Sequence, residues 1–178
     1  MHTLNTPSYC MIENRNSFAF SAENPTGTRA GASRGGDCTK LRPNIPIQPG
    51  ETITLVDTDG PGTIQSMWFT GYVGHSFILR IYWDHQPHPS VEAPISAFFG
   101  SAYDENFQDR EGRYPVLNSS MILVAPGRGF NCYWQMPFRK SCRITVENRG
   151  ETMQNLYYQI DYTLTDVFLH PLKLFTRF

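Results

Sequence analysis

The segment from residue 126 to residue 148 concentrates side chains that can hold a polar ring. Gly127 and Gly129 flank its first turn and would let the backbone present the residues that follow from a tight, irregular loop. Aromatic faces cover the apolar C–H groups of such a ring, while cationic donors meet its oxygens. The segment therefore predicts a binding surface, although aromatic core residues beside a solvated basic turn fit the composition equally well. The side chains concerned are Phe130, Tyr133, Trp134, Arg139, Lys140 and Arg143.

Carboxylates are the second group of candidates, because hydrolysis of a glycosidic bond needs two of them. One protonates the leaving oxygen, and the other attacks the sugar or activates water. No spacing in the sequence selects a pair, so each candidate is interpreted as a solvated loop carboxylate. The candidates are Glu23, Asp37, Asp84, Glu92, Asp104 and Glu105.

Metal, nucleophile and cofactor chemistry is not predicted. His85 and His88 follow Asp84, but prolines flank them and no third ligand stands at a recognised spacing, so an exposed turn is the better interpretation. The sequence contains no Gly-x-Ser-x-Gly or Cys/His signature, and the glycines around residue 128 open no dinucleotide-binding helix. We therefore predict no catalytic nucleophile, no metal and no cofactor.

The four cysteines form no Cys-x-x-Cys pair, so neither a zinc site nor a disulfide framework is indicated. We expect free thiols, and the aromatic surroundings of Cys132 favour a small buried hydrophobic residue over a reactive thiolate. The cysteines are Cys10, Cys38, Cys132 and Cys142.

The elements that must position these residues are predicted to be β-strands. Gly, Pro, Phe and Tyr are frequent and only 17% of residues are charged, which is unlike a helical protein. Short strands alternate with Gly/Pro turns, which predicts an all-β jelly-roll sandwich of two antiparallel sheets, as a single domain. The predicted strands are 51–57, 63–70, 77–83, 91–95, 120–124, 142–147 and 157–163, with a helical turn at 96–100 and loops at 17–36 and 103–118.

The predicted domain spans residues 1–165 and includes a loop-rich N-terminal segment. The tail 166–178 breaks the alternation of its last strand, and we interpret it as a truncated end or an altered reading frame. The net charge is −1 without a basic cluster, so nucleic acid and membrane surfaces are not expected partners. The chain starts without a basic, apolar leader, which favours a cytoplasmic protein.

Several segments together resemble glycoside hydrolase family 172, in consistent order along nearly all of the chain up to residue 165. The most specific is the motif at 127–140. The segments are ENPTG at 23–27, DGPGTI at 59–64 leading to WFT at 68–70, LRIYWD at 79–84, PSVE at 89–92 with FFG at 98–100, GRGFNCYW at 127–134 with MPFRK at 136–140, and YYQIDY at 157–162.

The resemblance implies a jelly roll that assembles into homo-trimers or multiples of them and acts on furanosides such as fructofuranosides or arabinofuranosides. Members of the family contain two jelly rolls, and their catalytic glutamates lie in the second, in Gly-Glu-Gly-Glu-like and Thr-Glu-Asp-Tyr-like motifs. Neither motif occurs here, so no residue of this chain inherits a catalytic role and its status as an enzyme stays open. The resemblance places substrate contacts at Glu23, Asn24, Phe130, Trp134 and Arg139, with the two aromatic rings stacking on the sugar or shaping its pocket.

These observations favour the N-terminal jelly-roll part of a furanoside-acting glycosidase, inactive alone. A non-catalytic carbohydrate-binding or assembly module is the alternative, and a structural jelly roll like those of viral capsids is a third.

Overall fold

The computed structural model describes residues 15–35, 37, 39–101 and 114–165, which form strands and one short helix. Leu, Ile, Val and aromatic residues alternate with polar ones through most of these segments, the pattern of strands with one buried face. The strands are β1 (Asn16–Ser21), β2 (Ile45–Ile47), β3 (Thr52–Asp59), β4 (Gly62–Gly71), β5 (Phe77–Trp83), β6 (Val91–Pro94), β7 (Leu117–Asn118), β8 (Ile122–Ala125), β9 (Gly129–Cys132), β10 (Met136–Phe138), β11 (Ser141–Asn148) and β12 (Gln154–Leu164), and the helix is α1 (Ile95–Phe98). No helix within these described ranges has the length and apolar character needed to cross a bilayer.

The strands form two antiparallel sheets. The larger sheet has the order β1-β12-β4-β9-β8-β7, with β2 also paired to β12 and β10 to β4. The smaller sheet has the order β3-β11-β5-β6. The chain crosses repeatedly between the sheets, for example at β3 to β4, β4 to β5 and β11 to β12, as in a jelly roll. The predicted all-β sandwich is confirmed.

The core lies between the two sheets and consists mainly of the inward-facing residues of each strand. On β5, Phe77, Leu79 and Ile81 are fully buried, and on β12 the inward residues include Leu156 and Ile160. Each such side chain contributes about 1.5–3 kcal/mol when it leaves water. This burial fixes the face that each strand turns outward, because neighbouring side chains along a strand point to opposite sides.

β-bulges change this alternation in β3 and β4. In β3, Leu55 is an extra residue opposite β11 and is buried next to the buried Val56. The second bulge lies in β4. Ile64 pairs with Tyr162 and Ser66 pairs with Asp161, which leaves Gln65 as an extra residue. Ile64 and Met67 are therefore both buried although three positions separate them. Beyond the bulge, Trp68 points outward.

Three parts of the strand prediction need correction. The segment 17–36, predicted as a loop, begins with β1, whose Phe20 is buried and which pairs with β12. The turn after β8 places Arg128 in the left-handed region at φ 68°, whereas the two glycines beside it do not need that conformation. The aromatic segment after this turn contains the regular strands β9 and β10. Most of the predicted connection 103–118 and the tail 166–178 lie outside the described residues.

Candidate binding face of the larger sheet

A row of cross-strand neighbours runs over the outer face of the larger sheet. Ser21 pairs with Gln159, Gln159 with Trp68, Trp68 with Asn131, and Asn131 with Leu123. Adjacent strands lie about 4.8 Å apart, so the row joins the end of β1 to β8 over roughly 20 Å. The loop at residues 23–27 follows β1 directly and therefore borders this face.

A shallow depression of about 240 Å³ lies on this row. Two aromatic residues with large exposed fractions border it, since Trp68 is 40% exposed and Tyr133 is 47% exposed. Exposed rings beside polar groups are the combination that binds amphipathic ligands. The lining residues are Ser66, Met67, Trp68, Asn131, Tyr133, Gln159 and Asp161.

The carboxylate of Asp161 is held in a fixed position at the depression. Ser66 Oγ donates to its Oδ2 at 2.7 Å, and Gln159 Nε2 donates to its Oδ1 at 2.9 Å. An ionised carboxylate oxygen can accept more than one hydrogen bond, so each oxygen retains capacity for a ligand donor. Asp161 can therefore act as a positioned acceptor.

The bulge of β4 also explains why aromatic side chains project from the neighbouring connection. Strand β9 pairs with Met67–Phe69 of β4 and β10 pairs with Gly62–Ile64, so residues 133–135 pass beside the bulge. Tyr133 N donates to the carbonyl of Met121 at 2.8 Å, and Gln135 Nε2 donates to Gln65 Oε1 at 3.0 Å. Trp134, between them, is 51% exposed. The substrate contact predicted for Trp134 is sterically open and stays a prediction.

Phe130 lies on the same sheet but points inward, and this corrects the stacking role predicted for it. Its side chain is 0% exposed. The ring packs edge to face against Phe99, with centroids 5.6 Å apart, and against Tyr114, with centroids 5.0 Å apart. No ring face is open to a ligand, so Phe130 is a core residue that supports β9.

Arg139 lies at the other end of β10 from Trp134, where the chain passes to the smaller sheet. Five residues of extended chain cover about 16 Å, so the two backbones are well separated. The backbone N–H groups of Arg139 and Lys140 donate to Asp84 Oδ1 at 2.8 and 2.6 Å. Arg139 is exposed. The structure thus places the predicted contact at Arg139 away from the depression.

The turn 84–88, considered above for metal binding, is a structural corner. Asp84 Oδ1 accepts the backbone hydrogen bonds of the β10–β11 turn, and His85 Nδ1 lies 3.0 Å from Ser141 Oγ. Within the described part of the chain, no group of three or more His, Cys, Asp or Glu residues is arranged to hold a metal ion.

The loop at 23–27 is organised by the buried side chain of Asn24, which is 7% exposed. Its Nδ2 donates to the carbonyls of Ala19 and Thr28 at 2.8 and 2.9 Å. Both amide hydrogens therefore support the start of this loop, while Oδ1 is buried without a hydrogen-bond partner among the described residues, and the predicted ligand contact of Asn24 stays a prediction. Glu23 is half-buried, and its carboxylate accepts a hydrogen bond from the backbone N–H of Arg42. The structure does not place Glu23 among the residues that line the depression.

The two described cysteines are free and buried, as the sequence analysis expects. Burial raises the pKa of Cys132 to about 11, because the thiolate loses solvation. Burial also raises the pKa of Cys142. Both thiols therefore stay protonated at neutral pH and act as small apolar residues.

Sequence reasoning missed the residues at the centre of the depression. Alternation in β4 and β12 already separates Trp68, Gln159 and Asp161 from their buried neighbours, so a signal for an outward face was present. The pairing of β12 with β4 joins residues that are about 90 positions apart, and no local pattern predicts that pairing.

The comparisons with known proteins agree with the fold and identify the family. The model of the GH172 first beta-sandwich domain matches residues 17–166, which is most of the chain. No match was found among curated proteins. Because the match covers both sheets and the motifs at 23–27, 59–70 and 127–140, the chain belongs to glycoside hydrolase family 172.

Proposed function

We propose that this chain is the N-terminal sandwich of a furanoside-acting glycoside hydrolase and that it contributes sugar contacts through the outer face of its larger sheet. The observation that carries the proposal is the depression in which the exposed rings of Trp68 and Tyr133 stand beside Asp161, Asn131 and Gln159. Aromatic faces can stack on the C–H side of a sugar ring, and the polar groups can bind its hydroxyls.

The size of the depression favours one sugar residue. Its volume of about 240 Å³ is below the roughly 300–1,000 Å³ of sites that enclose drug-sized ligands. A single furanose ring with its hydroxyls is the matching ligand class, and furanosides such as fructofuranosides or arabinofuranosides are what the family resemblance implies.

The proposed role is contact and not catalysis. Among the described residues that line the depression, Asp161 is the one carboxylate. Glycoside hydrolysis needs two carboxyl groups, about 5–5.5 Å apart in retaining enzymes and about 6.5–9.5 Å apart in inverting ones. We therefore propose that the chain is inactive alone and that the catalytic pair belongs to another part of the enzyme.

An assembly role is the second candidate, and the exposed apolar residues beside the depression favour it. Trp134 and Met121 are both exposed, and the backbone of Met121 is hydrogen-bonded to that of Tyr133, which precedes Trp134. Aromatic residues and Met are enriched in protein interfaces. A homo-oligomer interface at this edge, as a trimer or a multiple of it, is compatible with sugar binding next to it.

Binding of methyl α-D-fructofuranoside and methyl α-L-arabinofuranoside, measured by titration calorimetry, tests the sugar contacts. We expect Trp68→Ala and Trp134→Ala each to weaken the binding of one of these sugars by about tenfold, the loss expected for an aromatic contact worth about 1.4 kcal/mol. Tyr82→Ala is the matched control, because it removes an aromatic ring from the outer face of the smaller sheet. Unchanged binding in both tryptophan variants would contradict the proposal.

Two further measurements separate the candidates. Turnover of aryl furanosides by the purified chain would contradict a role limited to contacts. A stable monomer in sedimentation experiments, at concentrations up to those used for binding, would contradict the assembly role.

A further inference from the structure

We infer that Asp161 makes the depression selective for uncharged sugars and excludes phosphorylated ones. The inference rests on the proposed function, because it specifies which furanosides this face accepts. It assigns a specificity-determining role to a residue that no sequence motif marked as functional.

The first step is the position of the carboxylate. Both oxygens of Asp161 accept hydrogen bonds from its cross-strand and same-strand neighbours, Ser66 Oγ at 2.7 Å and Gln159 Nε2 at 2.9 Å. The acceptor pair is therefore held in place before a ligand arrives. Two neighbouring hydroxyls of a sugar can donate to such a pair, and hydrogen bonds to an ionised group are about twice as strong as neutral ones.

The second step is the charge of the surroundings. The side chains that line the depression, among the residues the structure describes, include one carboxylate and no Lys, Arg or His. The remaining polar groups are neutral, namely those of Ser66, Asn131, Tyr133 and Gln159. Phosphate sites are instead built from cationic side chains or clustered backbone N–H groups.

The third step is the repulsion between the Asp161 carboxylate and an anionic ligand, which lowers the affinity. Two like charges about 6 Å apart at a protein surface change a dissociation constant by roughly ten- to a hundredfold. A phosphate on a furanose ring bound in the depression lies near Asp161, because the ring that carries it is hydrogen-bonded to that carboxylate. Repulsion from Asp161 therefore lowers the affinity for a phosphorylated furanoside, whereas hydrogen bonds to the same carboxylate raise the affinity for a neutral one.

A purely structural role for Asp161 makes a different prediction. If the carboxylate only joins β12 to β4 through Ser66, its replacement lowers the affinity for neutral and for phosphorylated ligands by the same factor. The ratio of the two dissociation constants then stays the same, so this ratio separates specificity from structure.

The experiment measures the binding of methyl α-D-fructofuranoside and of its 6-phosphate by titration calorimetry. For the wild-type chain we expect the phosphate to bind at least about tenfold more weakly, with the ratio shrinking at high salt as screening increases. Asp161→Asn keeps the size and shape of the side chain, and we expect it to reduce the ratio to about two or less. Asp57→Asn is the control, because it makes the same charge change at an exposed position of the smaller sheet and should leave the ratio unchanged.

The outcomes are distinguishable. Equal binding of both ligands by the wild-type chain, or a ratio that survives in Asp161→Asn, overturns the selectivity and leaves the proposed sugar contacts standing. Failure of the wild-type chain to bind the neutral furanoside overturns the proposed function and the selectivity together. The salt dependence of the wild-type ratio decides the question if Asp161→Asn does not fold.

Discussion

The outer faces of the two sheets differ in how their polar groups are satisfied. On the smaller sheet, Arg80 Nε donates to Glu92 Oε2 and its Nη2 to Glu147 Oε2, both at 2.6 Å. Arg143 on the same face lies with its Cζ 4.0 Å from the centroid of the Tyr82 ring. The larger sheet instead exposes aromatic rings around Asp161, and this carboxylate is bound by neutral donors.

Charge density alone therefore does not select the face that we propose for binding. The charged groups of the smaller sheet bind one another, so their hydrogen-bonding capacity is largely used within the fold. The exposed rings and the carboxylate of the larger sheet keep contact area and acceptor capacity for a partner. Arg143 closely follows the aromatic cluster in the sequence, but its guanidinium lies over the Tyr82 ring of the smaller sheet.

The largest effect that can test this comparison is the loss of an inward residue of the larger sheet. Phe130→Ala leaves a cavity between Phe99 and Tyr114, and we expect a loss of about 3–5 kcal/mol in the free energy of unfolding, measured with urea. Trp134→Ala, four residues further on, removes an exposed ring and should change the same free energy by less than about 1 kcal/mol. Comparable losses in the two variants would show that the outer face also stabilises the sheet.

The strands whose own residues show a clear pattern could be predicted from the sequence. Apolar and aromatic runs bounded by turn residues predicted β5 with its correct bounds and much of β4 and β11, and alternation predicted most of β3 and β12. The strand β1 was missed although Phe18 and Phe20 alternate with small residues in it. The Asn, Pro and Gly residues that follow it favoured a loop for the whole segment 17–36.

The candidate site could likewise be predicted only in part. Phe130 and Cys132 alternate with Gly129 and Asn131, so their inward direction was readable, but composition alone left a binding surface and core packing as equal interpretations of the aromatic cluster. The outward direction of Trp68 depends on the extra residue Gln65, and a bulge is set by the register of the partner strand. The selectivity assigned to Asp161 likewise needs the contact with Ser66, 95 positions earlier.

A smaller effect is expected at the loop that borders the binding face. Gly27 has φ 64°, and a Cβ atom there would lie 2.6 Å from Cζ of the Phe20 ring. Gly27→Ala is therefore expected to lower the free energy of unfolding by about 1–3 kcal/mol, which thermal unfolding measures as a lower midpoint. Gly127→Ala is the matched control, because a Cβ at Gly127 meets open space and its φ lies outside the left-handed region, so the change should be neutral or slightly stabilising. If both variants lose the same stability, the loop is not fixed by the contact with Phe20.

The smallest effect concerns the charged face of the smaller sheet and depends on pH. The hydrogen bond from Arg80 holds the pKa of Glu147 below its ordinary value of 4.5, and the hydrogen bond from Arg149 acts in the same direction. The folded state therefore binds the proton of Glu147 less readily than the unfolded state does. The resulting stabilisation is fully present above pH 4.5 and is lost as the pH falls through the lower folded pKa.

Glu147→Gln removes this pH-dependent term. We expect the variant to be less stable than the wild type by about 0.5–1 kcal/mol at pH 7, and the difference to shrink as the pH falls below about 4.5. Urea unfolding at pH 7 and at pH 3 measures both values, and Glu151→Gln, at an exposed position, controls for the loss of one charge. If the difference in the free energy of unfolding between the wild type and Glu147→Gln is the same at both pH values, the hydrogen bond from Arg80 does not stabilise the ionised carboxylate of Glu147. The smaller sheet would then resemble the larger one in keeping polar groups available for a partner, and the contrast between the two faces would no longer support the proposed binding face.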